Sequence, residues 1–594
     1  MRSSANCSDI FMADRSIMTP AGTMKNPNGR GLSLWALTGL FLAGTMSAQE
    51  LHWANSLGVS GESCVLQVRT DAHDNVYVLG SMNNSGAVDL DPGPGTQVHS
   101  WNFGDLPGSG HFIAKYDSTG NYLWGYRQDA LRSMAVSPSG DIVCLAYLEG
   151  FWDADPGSST HMISASEGVG VARWSTNGTF ISAFAMDGPH ALQCATNDEG
   201  AIFLYGQFTG TFDADPGPAS EWLASNGYYD SWLARYDASG SFVWAFSIGG
   251  VGQEYASDLR LHGPYLFTTL RTVGPPDIAQ FDLDPGPDTV LTNFDQHLAS
   301  VVAVYTVNGT FERQRCLNLQ ADWRSPLIRP LPSGGVALAG GFSGAAQFDT
   351  PDSTFSLMSS GTDAFIERLD HELSNVWLDL FSTYGNEIVY DMTPAKDGAI
   401  LVGGVFTHTI DVDPGPGISI YQNSPPGDAW LGSYCYDDGS LIWSALISGQ
   451  STDRIQALTW SEADALVLGG GVSTGADIGV GGSPHPISTS ASSSAFVARY
   501  RQVNTTCVPA GVGIDPDHPD THGSPFEMRG GHLMIHPGVL DRRLVIVDAR
   551  GSVVYQRDVL VGGMSVDMGF LEAGFYIIGL TDGMSRHYQK IVLD

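Results

Sequence analysis

The stretch Asp89-Leu90-Asp91-Pro92-Gly93 decides the fold because it keeps returning. Further full copies of Asp-x-Asp-Pro-Gly begin at Asp153, Asp213, Asp282 and Asp411. Two degenerate copies, Phe348-Asp349-Thr350-Pro351-Asp352 and Ala476-Asp477-Ile478-Gly479, fill the gaps. From first Asp to first Asp the steps are 64, 60, 69, 67, 62 and 66 residues. Seven copies at a near-constant interval mean one structural unit stacked repeatedly.

Each unit carries four short apolar runs. In the third they are Ala191–Ala195, Ala201–Gly206, Trp232–Tyr236 and Phe242–Phe246, bounded by Gly, Asp, Asn and Ser. Runs of this length, rich in β-branched and aromatic residues, read as strands. Asp237-Ala238-Ser239-Gly240 joins the last two, with a Gly suited to positive φ in a tight hairpin. Four antiparallel strands in a unit of this size predict one blade of a β-propeller. The third-strand phrase occurs seven times, ending with Phe496 to Tyr500, and that last copy has no hairpin partner after it. Its missing fourth strand stands at the other end of the chain, as Leu51-His52-Trp53-Ala54-Asn55-Ser56-Leu57. The expectation is an all-β fold: a seven-bladed β-propeller closed by N-terminal strand exchange, which removes exposed sheet edges. A small C-terminal β-sandwich follows it. The boundaries are a leader over 1–48, the propeller over 49–503, a linker over 504–524 and the tail module over 525–594.

The 594 residues give a net charge of 28 − 63 = −35, which repels phosphate backbones and argues against nucleic-acid binding. Lys25 and Arg30 precede an apolar run from Leu32 to Ala43, followed by Ser47-Ala48, the pattern of a secretory signal whose true start would be Met24. That run is too short and interrupted for a membrane span. Cys64, Cys144, Cys194, Cys316, Cys435 and Cys507 fall at different places in their repeats. No disulfide framework is written into the period, leaving isolated buried thiols or one or two bridges.

The repeated loop is the one polar motif with a period. Residues two apart in extended chain share a face, so the pairs Asp89/Asp91, Asp153/Asp155, Asp213/Asp215, Asp282/Asp284 and Asp411/Asp413 would present paired carboxylates. Two readings compete. The pairs could hold calcium, which needs 6–8 oxygens and so at most five marginal sites here. Alternatively the side chains accept turn amides while Pro-Gly shapes the turn. Gly471-Val472-Ser473-Thr474-Gly475 matches a nucleophile elbow, but it sits at a strand-to-loop position of its repeat, without the helix an elbow needs. The histidines His52, His73, His99, His111, His161 and His190 share no register.

Near the end, Asp548-Ala549-Arg550-Gly551-Ser552-Val553-Val554, Leu571-Glu572-Ala573-Gly574-Phe575-Tyr576 and Lys590-Ile591-Val592 come in order. Here the tail resembles the C-terminal sorting domain of the type IX secretion system. The resemblance implies type IX machinery as a partner and a place outside the cell or on the outer-membrane surface of a Gram-negative bacterium. Asn75-Val76-Tyr77-Val78-Leu79-Gly80 and Phe112-Ile113-Ala114-Lys115-Tyr116 make the repeats similar to the secreted bacterial β-propeller repeat family, which implies an architecture and no reaction. The functional expectation is a non-enzymatic surface binding or adhesion protein for an extracellular glycan or protein. The rival is an extracellular hydrolase or lyase with its site at the central channel.

Overall fold

The computed structural model describes residues 49–507, with breaks at 101–109, 275–280, 293–297, 322–325, 350–353, 382–384, 416–418 and a few shorter ones. It also describes the tail strands between 526 and 593. The leader over 1–48 and nearly all of the linker over 504–524 lie outside the described residues.

The strands form seven antiparallel sheets arranged as a seven-bladed propeller. In the third blade, His190–Thr196, Ile202–Phe208, Asp230–Tyr236 and Phe242–Ile248 pair in that order. The first, innermost strands are Gly58–Thr70, Leu131–Val136, His190–Thr196, Gln253–His262, Leu327–Pro330, Glu387–Pro394 and Arg454–Trp460. Consecutive ones touch, and the last touches the first, so they ring a central channel. Because each blade is a meander, its turns between first and second and between third and fourth strands share one face of the disc. The Asp-Pro-Gly loops and the connections between blades lie on the other.

The seventh sheet joins the two ends of the propeller. Glu50–Ser56 lies antiparallel against Ser494–Arg501, with Trp53 opposite Arg499 and Ser56 opposite Phe496. The apolar core is divided accordingly. Each of seven buried clusters spans one junction between neighbouring blades. The cluster between seventh and first blades packs Leu57, Val65, Val78 and Phe112 on Ala457, Val467 and Val497.

Polar clasps reinforce these junctions, and they explain two sequence signatures. The indole N–H of Trp124, on a fourth strand, donates to Thr176 O in the next blade's hairpin turn at 3.2 Å. Trp244 and Trp377 do the same to Val307 O and Tyr436 O. Trp53 donates to Ser118 O at 3.2 Å, so it plays the fourth-strand part for the seventh blade. The basic residue of the third-strand phrase reaches the same turns. Lys115 bonds Thr176 O, Arg173 bonds Ala238 O, Arg368 bonds Tyr436 O and Arg499 bonds Ser118 O. The turns need their glycine for two reasons. Gly120 has φ of 89°, and a Cβ there would stand 2.7 Å from the Trp53 ring. In the fifth blade Leu373 takes that place at φ of 64°, a conformation costly for a branched side chain.

The tail forms two sheets, Phe526–Arg529/His532–Ile535/Met564–Asp567 and Val553–Val559/Arg542–Asp548/Gly574–Thr581/Arg586–Leu593. Leu533, Ile535 and Val566 of the first share a buried cluster with Leu544, Ile546, Tyr576 and Ile578 of the second. The three phrases noted in the sequence fall side by side: Asp548 pairs with Tyr576, and Tyr576 with Ile591.

Candidate functional site

The Asp-Pro-Gly loops come first because the sequence singles them out. In six copies the first Asp accepts the amide two residues on at 2.9–3.2 Å and the amide eight residues on at 2.7–2.9 Å. Those residues are Asp89, Asp153, Asp213, Asp282, Asp411 and, in a degenerate copy, Asp477. The second Asp of four copies, Asp155, Asp215, Asp284 and Asp413, accepts the amide of the Gly two residues on. Asp91 stands against Gly95. These carboxylates therefore shape their own hairpins. Among the described residues, no three or more His, Cys, Asp or Glu side chains are grouped to hold a metal ion.

Sequence reading missed what pins each loop down. The residue between the two Asp positions is buried, as Leu90, Ala154, Ala214, Leu283, Val412 and Ile478. Its carbonyl accepts a bond from the last aromatic of the third-strand phrase. The donors are Tyr116, Trp174, Tyr236, Tyr305, Tyr434 and Tyr500, at 2.6–3.0 Å. The fifth blade has Leu369 there, which cannot donate, and its loop is one of the two degenerate copies. The motif and the aromatic are two halves of one lock.

The Gly-x-Ser-x-Gly string is structural. Ser473 follows the strand Leu466–Val472, Gly475 has φ of 84°, and no helix follows. The Ser473 hydroxyl lies 3.1 Å from the buried Asp453 carboxylate, which also accepts the Gly449 amide. His111 is buried with Nδ1 3.0 Å from Asp129 O, and burial pushes its pKa down to about 3. Among the cysteines, Cys435 and Cys507 form a disulfide spanning 72 residues, which ties the chain leaving the propeller to the sixth blade. Of the two cysteine readings, the bridge is therefore realised once. Cys144 and Cys194 are buried thiols, and Cys64 and Cys316 form no disulfide.

The face carrying the blade connections holds a cluster of aromatic and polar side chains on blades two to four. Tyr228 and Tyr229 lie edge to face at 4.9 Å, and Tyr229 leans on Tyr255 at 5.4 Å. The Arg271 guanidinium stands 5.1 Å over the Tyr255 ring, a cation–π contact. On the second and third blades Tyr147 stacks on His190 at 5.2 Å, with Arg132 5.8 Å from the Tyr147 ring. Tyr228 is 64% exposed and the neighbouring Val251 66%. Beneath the tyrosines, Glu254 is fully buried, with Oε2 accepting the Gly250 amide and Oε1 the Thr272 hydroxyl. Burial pushes its pKa up to about 7, and the Asp230 carboxylate adds to the effect.

The channel wall is the third feature. A bulge recurs at one position in the innermost strands, for example between Val65 and Gln67, Ala256 and Asp258, and Val389 and Asp391. The residue after it reaches the next blade. Gln67 Oε1 accepts the Met134 amide, Asp258 Oδ2 the Ile328 amide, and a little further round Asp391 Oδ2 the Leu458 amide. These bonds satisfy the inner-edge amides that a closed ring of sheets would leave bare. Two residues beyond the one that follows the bulge come Arg69 and Arg260, and Arg329 takes the same register on the fifth blade. Arg329 binds Asp258 at 2.6 Å, bonds Asp391, and donates from Nε to Met392 O. Laying the seven repeats over one another would have exposed this charged ring, since its members share a register.

No protein-family model matches the chain, and no curated protein matches it either. Solved structures similar to it are matched at low identity and low TM-score. A quinohemoprotein alcohol dehydrogenase from Comamonas testosteroni is 11% identical at a TM-score of 0.32, covering 79% of this chain and 80% of that one. The biofilm matrix protein Bap1 from V. cholerae is 10% identical at 0.22, covering 77% and 91%. PorZ, a surface component of the type-IX secretion system of Porphyromonas gingivalis, is 10% identical at 0.18, covering 91% and 100%. Likeness this distant says nothing of activity.

Proposed function

We propose that this protein is an extracellular binding protein that takes a glycan or protein ligand on the blade-connection face of its propeller. The observation that carries the reading is the cluster of Tyr228, Tyr229, Tyr255 and Arg271, with Tyr147, His190 and Arg132 beside it. Rigid aromatic rings with a polar edge, interleaved with arginine, are the side chains that dominate recognition surfaces. Elsewhere the motifs read from the sequence are spent on turns and junctions. The leader pattern and the tail phrases favour export, with the tail addressed to type IX machinery and the propeller as cargo on the surface or outside.

The test is a glycan and extracellular-protein array probed with the propeller and tail together, alongside a Tyr228→Ala/Tyr255→Ala variant. The expected result is specific capture that the variant loses while its melting temperature holds. Capture unchanged in the variant would move the site off this face. Turnover in a panel of polysaccharide and ester substrates would overturn the non-enzymatic reading.

A further inference from the structure

The geometry points to a carboxylate-binding site inside the central channel, between Arg69 and Arg260, distinct from the aromatic face and independent of its ligand. At one level of the channel wall stand three guanidiniums, Arg69, Arg260 and Arg329, and two carboxylates, Asp258 and Asp391. The two carboxylates are already committed. Asp258 accepts the Leu259 amide at 3.0 Å, the Ile328 amide at 3.1 Å and Arg329 at 2.6 Å. Asp391 accepts the Met392 and Leu458 amides, each at 2.9 Å, besides Arg329. Arg329 in turn spends its remaining donors on Met392 O at 2.8 Å and Ile328 O at 2.7 Å. That triad is closed and neutral but for one negative charge.

Arg69 and Arg260 are left over. Arg260 reaches the crowded Asp258 only at 3.3 Å, and its buried Nε has no hydrogen-bond partner among the described residues. The hydrogen bond that Arg69 makes is to the carbonyl of its own neighbour, Val68, at 2.8 Å. Both side chains keep partial exposure to the channel. They come from the first and fourth blades and share one register on the innermost strands that ring the channel. Burial and the nearby Arg329 push Arg260 down to about 9, and burial lowers Arg69 too.

Over these five groups the sum is one surplus positive charge, inside a chain whose net charge is −35. Desolvated guanidiniums with free donors favour a planar anion that accepts in a bidentate fork, and a carboxylate has that shape. A dianionic phosphate would overshoot the single surplus charge. The ligand class is therefore a monocarboxylate, either a small free acid or the acid group of a sugar.

Isothermal titration of the full chain with sodium acetate, D-glucuronate and neutral D-glucose at constant ionic strength tests this. The expected result is saturable heat with glucuronate, with or without acetate, and none with glucose. Heat with both acids assigns a general carboxylate site, and heat with glucuronate alone assigns a sugar-acid site. Arg260→Ala and Arg69→Ala should each weaken binding at least about tenfold. Tyr228→Ala/Tyr255→Ala should leave it intact, which separates this site from the aromatic face. Saturable heat absent with both acids, or unchanged in the Arg69→Ala/Arg260→Ala double variant folded as judged by circular dichroism, overturns the proposal.

Discussion

Removing single hydroxyl groups from the loop locks should weaken the propeller in equal, additive steps. Tyr236→Phe keeps the ring in its buried place and deletes the hydroxyl's bond to Ala214 O at 2.8 Å, with a weaker contact to Met186 Sδ at 3.2 Å. Tyr305→Phe and Tyr434→Phe do the same to Leu283 O at 3.0 Å and Val412 O at 2.9 Å. A buried hydrogen bond contributes about 1 kcal/mol net, and stranding its acceptor raises the loss towards about 2 kcal/mol. The three sites lie on different blades with no shared partner, so their effects should add, to about 3–6 kcal/mol in the triple variant. Denaturant unfolding measures the total, and amide hydrogen exchange locates it. Exchange should quicken at Glu221, Val290 and Ser419, whose amides close the three hairpins. A triple variant unfolding at the wild-type midpoint, with exchange at those amides unmoved, would show that the aromatic hydroxyls do not hold the loops.

Glu254 should make the protein less stable as pH rises. Its folded pKa of about 7 stands above its ordinary 4.5, so the fold binds the proton more tightly than the unfolded chain does. Stability is therefore lost between those two values, on the order of 3 kcal/mol from this group. Glu254→Gln should raise the melting temperature at pH 8 and leave it nearly unchanged at pH 4, as scanning calorimetry would read. Cys507→Ser opens a loop of 72 residues and should cost about 4 kcal/mol by chain entropy, measured by denaturant unfolding under oxidising conditions. Trp53→Ala should lower the melting temperature more than Val554→Ala, an exposed change in the tail, because it breaks the clasp on Ser118 between the last and first blades. If the Asp-Pro-Gly carboxylates serve only turns, chelator should leave melting unmoved and titration should show no calcium uptake; binding with a raised melting temperature would revive the cation reading.

The architecture was legible because it repeats. Seven copies of a phrase need no knowledge of packing, and the displaced strand around Trp53 announced itself by an orphan at the other end. The candidate site was not legible, for physical reasons. Tyr228, Tyr229 and Tyr255 come from two blades and meet only where the start of one third strand lies beside the start of the next blade's first strand, at Tyr229 and Gln253. Arg69 stands on the first blade and Arg260 and Arg329 on the adjacent fourth and fifth, and they line one channel only because the ring closes. Asp258 and Asp391 look like ordinary strand carboxylates until their neighbours across the channel are known. The Asp pairs drew attention through their period, yet a period in a stacked fold marks what every unit needs to fold.

The hydrogen bond between Ser56 and Ser494 joins residues 438 apart, and it has a consequence for how the protein is made. A nascent chain emerging from its amino end carries the first piece of the final sheet long before the matching piece exists. Every incomplete product has two bare strand borders, one at each end of an open arc, and such borders invite neighbouring copies to add on. Assembly is thus a late, all-at-once event, and premature termination anywhere before Arg501 yields a species prone to sticking rather than a smaller working propeller.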